Sequence, residues 1–341
     1  MNTTAEATPL DERKEAILRE IVEIYIREGE PVGSKAVADG ADLGVSPATI
    51  RNEMAILERE GYISHPHTSA GRVPTDKAYR YYVDVLAPRV ATDPKRRKEI
   101  EGFLAGAVSA LDELLDRASQ LLSELTDYTS LAASPDIGDS RLERVELVRL
   151  GGARLLLVCI GEDGWHEERL VELEGELSDD AVRRALQLAN PLVEGSMPVQ
   201  AAQAIEEIAA PVDVAPVLRA LSTGLHTVSG ISGRLYTGGT SKLIVWEEVG
   251  TAQRVLEMLD AGGVRPLLPE PGPNTVTARI GRELALEDLR DLSLIAAGYR
   301  FGRRSGTLGV LGPTRMDYPS VMSTVAEVAS TLSHVLRQLG P

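Results

Sequence analysis

The chain has 341 residues, 43% hydrophobic and 4% aromatic, with a formal net charge of −15; it is long enough for two or three domains with their own cores, and composition alone argues against a nucleic-acid partner. Its one cysteine excludes a disulfide within the chain, and Cys159 lies in the apolar run 155–160, the setting of a buried thiol rather than a nucleophile. The first residues lack the basic and apolar regions of a signal peptide, and no apolar run approaches the span of a bilayer, so a cytoplasmic chain without a membrane segment is expected.

From Leu10 to Glu28, Ile17, Leu18, Ile21, Val22, Ile24 and Tyr25 form a wide apolar stripe and predict a first helix, broken at Gly29-Glu30-Pro31-Val32. Ser34 can cap a short second helix, Lys35 to Asp39, which ends in the turn Gly40 to Gly44. Ser46 suits an N-cap and Pro47 the first position of a third helix, along which Ile50, Met54 and Leu57 recur on one face. The other face carries Thr49, Arg51, Asn52 and Glu53, side chains that reach base edges and phosphates. Gly61 ends this helix, Tyr62 and Ile63 begin a strand, and a polar loop follows with Arg72 in its second half. Thr75 can cap a further helix whose Tyr79, Tyr82, Val83 and Leu86 share a face. Three short helices followed by strand, loop and strand describe a winged helix, with a narrow polar helix for the major groove and a basic loop for the backbone or minor groove beside it. Winged helices also bind proteins, and the pattern leaves that open.

Charge is distributed unevenly. Between Tyr62 and Lys98 eight Lys and Arg face three Asp, so positive charge gathers in the wing, the helix after it and the following linker. The acidic remainder should repel DNA at long range, so binding must depend on close contacts and on two half-sites engaged together. His65 and His67 lie beside the expected phosphate track. Imidazoles ordinarily titrate near 6.5, so protonation there would tighten binding in mildly acid buffer; equally, both are ordinary solvated loop residues. As a metal site His65-x-His67 is poor, having no nearby cysteine or third histidine.

Further along, Ile100 to Leu125 reads as one long helix with heptad-like leucines, either a dimer seam or the cover of a sheet. Arg144 to Leu150, Arg154 to Ile160 and Glu167 to Leu173 read as three strands joined by hairpins. A helix from Ser178 to Leu192 and helical stretches near 199–208 and 216–228 follow, then extended segments Leu235 to Gly239 and Lys242 to Trp246, a helix from Thr251 to Leu259 and a proline-rich loop, 266–273. Thr275 to Ile280, Leu294 to Arg300 and Gly306 to Leu311 give three more strands, the last two paired, before a closing helix from Ser320 to Leu339. Strands on either side of a mostly helical middle permit one sheet domain interrupted by an insertion.

No catalytic constellation emerges, and neither cofactor nor metal is expected. Gly238-Gly239-Thr240-Ser241-Lys242 lacks the GxxxxGK[ST] spacing of a phosphate loop and reads as a structural turn. His166, His226 and His334 are scattered, with no acidic partner at fixed spacing. Asp317 can cap the final helix and Arg315 can pair with a neighbouring loop; a small-molecule site there stays open.

Three runs near the N-terminus carry a resemblance: Gly29-Glu30-Pro31-Val32-Gly33-Ser34, Ala48-Thr49-Ile50-Arg51-Asn52-Glu53-Met54 and His67-Thr68-Ser69-Ala70-Gly71-Arg72-Val73-Pro74-Thr75. Together with Gly238-Gly239-Thr240-Ser241 and the run from Gly309 to Tyr318, they resemble the heat-inducible transcription repressors called HrcA. The second run is shared by several bacterial repressor families, whereas the third is specific. The resemblance covers nearly the whole chain and is weakest between about Ser130 and Ala220. It implies an α+β, multidomain repressor of heat-shock chaperone operons: a winged helix (1–90), a GAF-like α/β domain in two parts (91–177 and 274–341), and a dimerising domain inserted between them (178–273). It also implies a homodimer on a double-stranded, inverted-repeat operator, CIRCE, modulated by a GroEL-type chaperonin. The expected DNA contacts are Ser46, Thr49, Arg51 and Asn52 in the groove, His67, Ser69 and Arg72 in the wing, and Lys77 and Arg80 as auxiliary backbone contacts. The alternative is a ligand-responsive regulator whose GAF-like domain senses a small molecule; an enzyme is disfavoured.

Overall fold

The computed structural model describes residues 10–40, 44–66, 71–87, 94–105, 111–136, 138, 140–162, 164–173, 178–230, 233–245, 249–260, 264–268, 272, 275–302 and 304–338. Its first unit is a winged helix. Helix α1 (Glu12–Glu28) starts where the Asp11 carboxylate accepts the Lys14 amide and stops at Gly29, whose positive φ of 74° closes the last turn. Helices α2 (Ser34–Gly40) and α3 (Pro47–Arg59) follow, then the short antiparallel pair β1 (Ile63–Ser64) and β2 (Val73–Pro74), widened by a bridge between Val32 and Arg72. Helix α4 (Asp76–Tyr81) runs on through a π turn to Leu86. Ile17, Leu18, Ile21, Ile50, Leu57 and Ile63 are fully buried at the centre of the unit.

The segment read as one long helix is described as two, α5 (Pro94–Ala105) and α6 (Leu111–Thr126). Of the two roles open to its leucines, the structure has the sheet cover. Leu114, Leu115, Ala118 and Leu122 are buried in one core with Val325, Val328 and Leu332 of α11 (Tyr318–Gln338). That core lies on one face of a five-stranded antiparallel sheet in the order β7-β3-β10-β9-β8, formed by β3 (Thr129–Ala133), β7 (Leu235–Gly238), β8 (Val276–Ile280), β9 (Leu292–Phe301) and β10 (Arg304–Pro313). Leu131, Leu292, Leu294 and Leu311 meet a second core on the other side with Leu243, Val255 and Leu259. Covered on both faces, β9 is buried from Leu292 to Tyr299, which is why it reads as a continuous apolar run. Strand β10 is glycine-rich because aromatic rings cross it: a Cβ on Gly306 would stand 2.3 Å from the Tyr299 ring, whose hydroxyl donates to the Ala133 carbonyl at 3.0 Å.

The expected single sheet is two. Strands β4 (Leu142–Gly151), β5 (Arg154–Gly161) and β6 (His166–Glu172) form a separate antiparallel meander. It packs on α7 (Asp179–Val193), α8 (Pro198–Glu206) and α9 (Ala215–Ser229) around a third core that holds Leu155, Leu157, Val182, Leu221 and Leu225. The chain leaves the five-stranded sheet at the end of β3 and re-enters beside it at β7: Ala133 pairs with Leu235, and the Ser134 amide donates to the Arg234 carbonyl at 2.8 Å. The excursion therefore spans roughly 134–233. Division at Ser178 separates β4–β6 from the helices they pack on, and division at Pro273 places β7 and α10 (Val249–Asp260) with the wrong core. Residues 240–245, read as extended from Lys242, form a 3₁₀ turn. The Cys159 thiol is buried in the third core, and that burial pushes its pKa up to about 12, as fits an inert core thiol. Among the described residues no helix is long and apolar enough to cross a membrane.

Candidate nucleic-acid interface

Helix α3 buries Ile50, Met54 and Leu57 and exposes the opposite side. Ala48, Asn52, Ala55 and Arg59 fall on one exposed line at spacings of four, three and four residues, with Arg51 exposed beside it. Two alanines flanking an amide let the helix approach base edges without obstruction, and Arg59 places a cation at the far end of the same line. Sequence reasoning named Arg51 and Asn52 on this exposed side but not Ala48, Ala55 and Arg59, although the spacing from Asn52 gives all three. Ser46 and Thr49 have a local task as well. Ser46 Oγ accepts the Thr49 amide at 3.3 Å, and the two hydroxyls lie 3.1 Å apart at the helix start. Glu53, on the other flank, lies 3.8 Å from Arg13 of α1.

The root of the wing is tied to the turn after α1. Arg72 exchanges backbone hydrogen bonds with Val32 at 2.8 and 2.9 Å, and Gly71 passes so close that a Cβ there would stand 2.5 Å from the Val32 carbonyl oxygen. The Arg72 guanidinium turns back to α3. It pairs with Glu58 at 3.0 Å and lies 3.4 Å from His65 Nδ1, while His65 Nε2 is 3.6 Å from the same carboxylate. His67 and Ser69 lie outside the described residues. Lys77 donates to the Glu60 carbonyl at 2.8 Å and stands 4.1 Å over the Tyr62 ring, closing the end of α3.

Arg80, expected as an auxiliary backbone contact, is instead held within the chain. Both of its outer nitrogens and Nε are engaged: by the two Glu283 oxygens, by Asp84 and by the Ala278 carbonyl. Around it the winged helix meets the five-stranded-sheet unit. The Asp76 carboxylate accepts the Arg282 amide at 3.1 Å across Gly281, and the Tyr79 and Tyr318 rings lie 5.7 Å apart. Arg315 sits against Gly29, where any Cβ would collide with its guanidinium. Two of the sequence runs singled out above, 29–34 and 309–318, thus meet at this junction. Asp317 accepts the Ser320 amide at 3.2 Å and caps α11, as expected. Burial pushes the Tyr79 hydroxyl well up, a mark of how closely the junction is packed.

The remaining polar motifs are structural. In Gly238-Gly239-Thr240-Ser241-Lys242 the lysine donates to the Ser123 carbonyl at 2.8 Å and to Asp127 at 3.0 Å, tying the turn to the end of α6. Two of the scattered histidines do have acidic partners, at long separations: His226 lies 3.1 Å from Glu206 and His334 lies 3.6 Å from Glu101. Among the described residues no cluster of three potential metal ligands occurs.

A three-helix unit with a two-stranded wing and an exposed, cationic third-helix stripe defines a winged-helix DNA-binding protein. Residues 9–84 match the family model described as "Winged helix-turn-helix transcription repressor, HrcA DNA-binding", and residues 112–322 match "HrcA protein C terminal domain". The chain is 41% identical over 334 residues to the heat-inducible transcription repressor HrcA of Thermobifida fusca (96% of this chain, 97% of that one), and 39% identical over 339 residues to that of Nocardia farcinica (96% and 97%). The chain belongs to the HrcA family of heat-inducible transcription repressors. A solved structure described as a hypothetical protein shares the fold, with a TM-score of 0.59 at 23% identity, over 97% of this chain and 100% of that one.

Proposed function

We propose that this chain represses heat-shock chaperone operons as a homodimer, each winged helix reading one half of a CIRCE-type inverted repeat, with a GroEL-type chaperonin setting the amount of active repressor. The observation that carries the DNA part is the exposed α3 stripe, Ala48-Asn52-Ala55-Arg59 with Arg51 beside it. Arg51 and Asn52 stand one residue apart around the helix, so one faces a base while the other takes a neighbouring edge or phosphate. Ser46 and Thr49 bring the helix start to the backbone, and the wing, with His67, Ser69 and Arg72, follows the adjacent phosphates. In this reading the five-stranded sheet with its helices is the GAF-like domain, and the 134–233 excursion is the dimerising insertion. Supporting the dimer, the outer face of β4–β6 exposes Val148 and Leu170 in one cross-strand row with Leu156. The chaperonin part rests on family membership.

Fluorescence anisotropy on a labelled inverted repeat against a scrambled duplex, over a salt series and with or without chaperonin, tests the proposal. Tight binding to the repeat, strengthened by chaperonin, is expected. Equal, weak and salt-sensitive binding to both duplexes, unchanged by chaperonin, would refute it.

A further inference from the structure

The Arg72 guanidinium is held within the winged helix by two side chains. Its Nη2 stands 3.0 Å from Glu58 Oε2 on α3, and its Nη1 stands 3.4 Å from Nδ1 of His65, just past β1. A guanidinium offers only protons, so Nδ1 is the bare ring nitrogen and the imidazole proton sits on Nε2, which faces Glu58 Oε1 at 3.6 Å. One carboxylate thus serves an arginine and a neutral histidine at once. The three side chains are 20% (Arg72), 31% (Glu58) and 32% (His65) exposed, open enough for a solvent proton and a phosphate to reach them. Among the described residues no other charged group faces His65. Lys77 of α4 is turned to the Glu60 carbonyl and the Tyr62 ring, and the turn after α1 meets Arg72 through the Val32 backbone.

We infer that Glu58 and His65 are positioning residues for Arg72, and that a proton on His65 moves the arginine from the α3 carboxylate to a DNA phosphate. With His65 neutral, Arg72 has an acceptor on either side and is drawn back to α3. A solvent proton taken up at Nδ1 removes one acceptor outright, because two N–H groups then face each other. The same proton makes the ring a cation whose Nε2 lies 3.6 Å from Glu58, so the carboxylate has a second full charge to balance and its hold on Arg72 weakens. The released guanidinium turns to the nearest anion outside the chain, which on bound DNA is a backbone phosphate. Imidazoles ordinarily titrate at about 6.5, so affinity should rise as pH falls through that range and decline as pH climbs back. A phosphate contact carries no sequence information, so the effect should be alike on every duplex. This latch presupposes that the wing follows phosphates, as proposed above, and sets when Arg72 joins them.

Anisotropy titrations of the full chain on the inverted repeat and on the scrambled duplex, from about pH 5.5 to about pH 8 and over a salt series, test it. Affinity for both duplexes is expected to be about three- to tenfold higher at the acid end, with a salt slope steeper by about 1 as Arg72 joins the phosphates. Glu58→Gln should hold nearly the tight level at every pH, and His65→Asn nearly the weak one. His67→Asn, two residues along the sequence, should keep the pH dependence. A flat wild-type profile overturns the latch, as does one that survives His65→Asn or Glu58→Gln. A second measurement needs no DNA. In NMR spectra of the free full chain, the Arg72 side-chain signal, identified by its loss in Arg72→Ala, should move with His65 over the same pH range and stand still in His65→Asn. An Arg72 signal that ignores His65 overturns the latch. A signal that follows His65 in a chain binding neither duplex upholds the positioning of Arg72 and sinks the operator reading instead.

Discussion

Glu58 stands between two basic side chains, Arg72 at 3.0 Å and His65 at 3.6 Å, at the seam between α3 and the wing. It orients the arginine, yet it also sets a negative charge beside the expected phosphate track. Replacing it by an isosteric amide removes the charge and releases the guanidinium. Glu58→Gln is therefore expected to raise affinity a few-fold for operator and scrambled DNA alike and to steepen the salt slope by about 1, read from anisotropy titrations; unchanged affinity would mean that Arg72 faces no phosphate. Asn52→Ala should behave differently. It sits in mid-stripe between two alanines, so it should cost about 1–3 kcal/mol on the correct operator and relax the preference at one base position, measured against a panel of single-base variants. Equal losses on every duplex would reassign Asn52 to the backbone. At this scale the sequence is informative where the physics is local. The Ser46 cap, the polar face of α3 and the Asp317 cap are all readable from spacing, and so is Arg59 once Asn52 is placed. The fate of Arg80 is only half readable: Asp84 stands four residues on, but its forked partner Glu283 lies 203 residues away.

That pair matters at the scale of elements, because α4 is docked on the sheet unit by Arg80 with Glu283, Asp76 across Gly281, and Tyr79 against Tyr318. Forked arginine–carboxylate pairs are among the stronger polar contacts, though this one is about one-third exposed and is screened accordingly. Arg80→Ala and Glu283→Ala should each lower stability by about 1 kcal/mol, and a double-mutant cycle should return a coupling of at least about 0.5 kcal/mol. The two variants should also change DNA affinity in the same direction. If only Arg80→Ala weakened binding, its side chain would be touching phosphate and the docking role would fall. Element identity was mostly legible: helices α1, α3, α7 and α11 and strands β4–β6 and β8–β10 follow from period and caps. Their partners were not. Strand β3 is five residues, TSLAA, without alternation, because both of its faces are covered; it went unseen, and with it the point where the excursion begins. The heptad-like leucines of α6 fit a sheet cover as well as a dimer seam, since both need one apolar stripe.

For the whole molecule the question is how a chain of net charge −15 holds DNA. Net positive charge gathers in the wing, the helix after it and the linker, so a single unit has only short-range contacts to set against the repulsion of the acidic body. Joining two units makes the second contact intramolecular, with a gain of about 10²–10⁴ when the spacing suits the operator. The proposed dimer thus has a physical task, and the outer face of β4–β6 is where we place it. The row Val148, Leu156 and Leu170 continues along β5 as Val158 and Ile160, flanked by Glu146 with Glu168 and by Arg144 with His166. An apolar ridge between charged flanks is the usual pattern of a protein interface, and Val148 and Leu170 are about half exposed in the isolated chain, at 49% and 53%. Because both side chains point away from the third core, Val148→Asp with Leu170→Asp should leave the fold and melting of the protomer nearly intact while splitting the dimer in sedimentation analysis. Affinity for the full inverted repeat should then fall about 10²-fold or more toward that for an isolated half-site, which should itself stay unchanged. A double variant that sediments as a dimer and keeps full operator affinity would move the interface elsewhere; equal losses on the half-site and the full site would indicate damage to the winged helix rather than loss of the second contact.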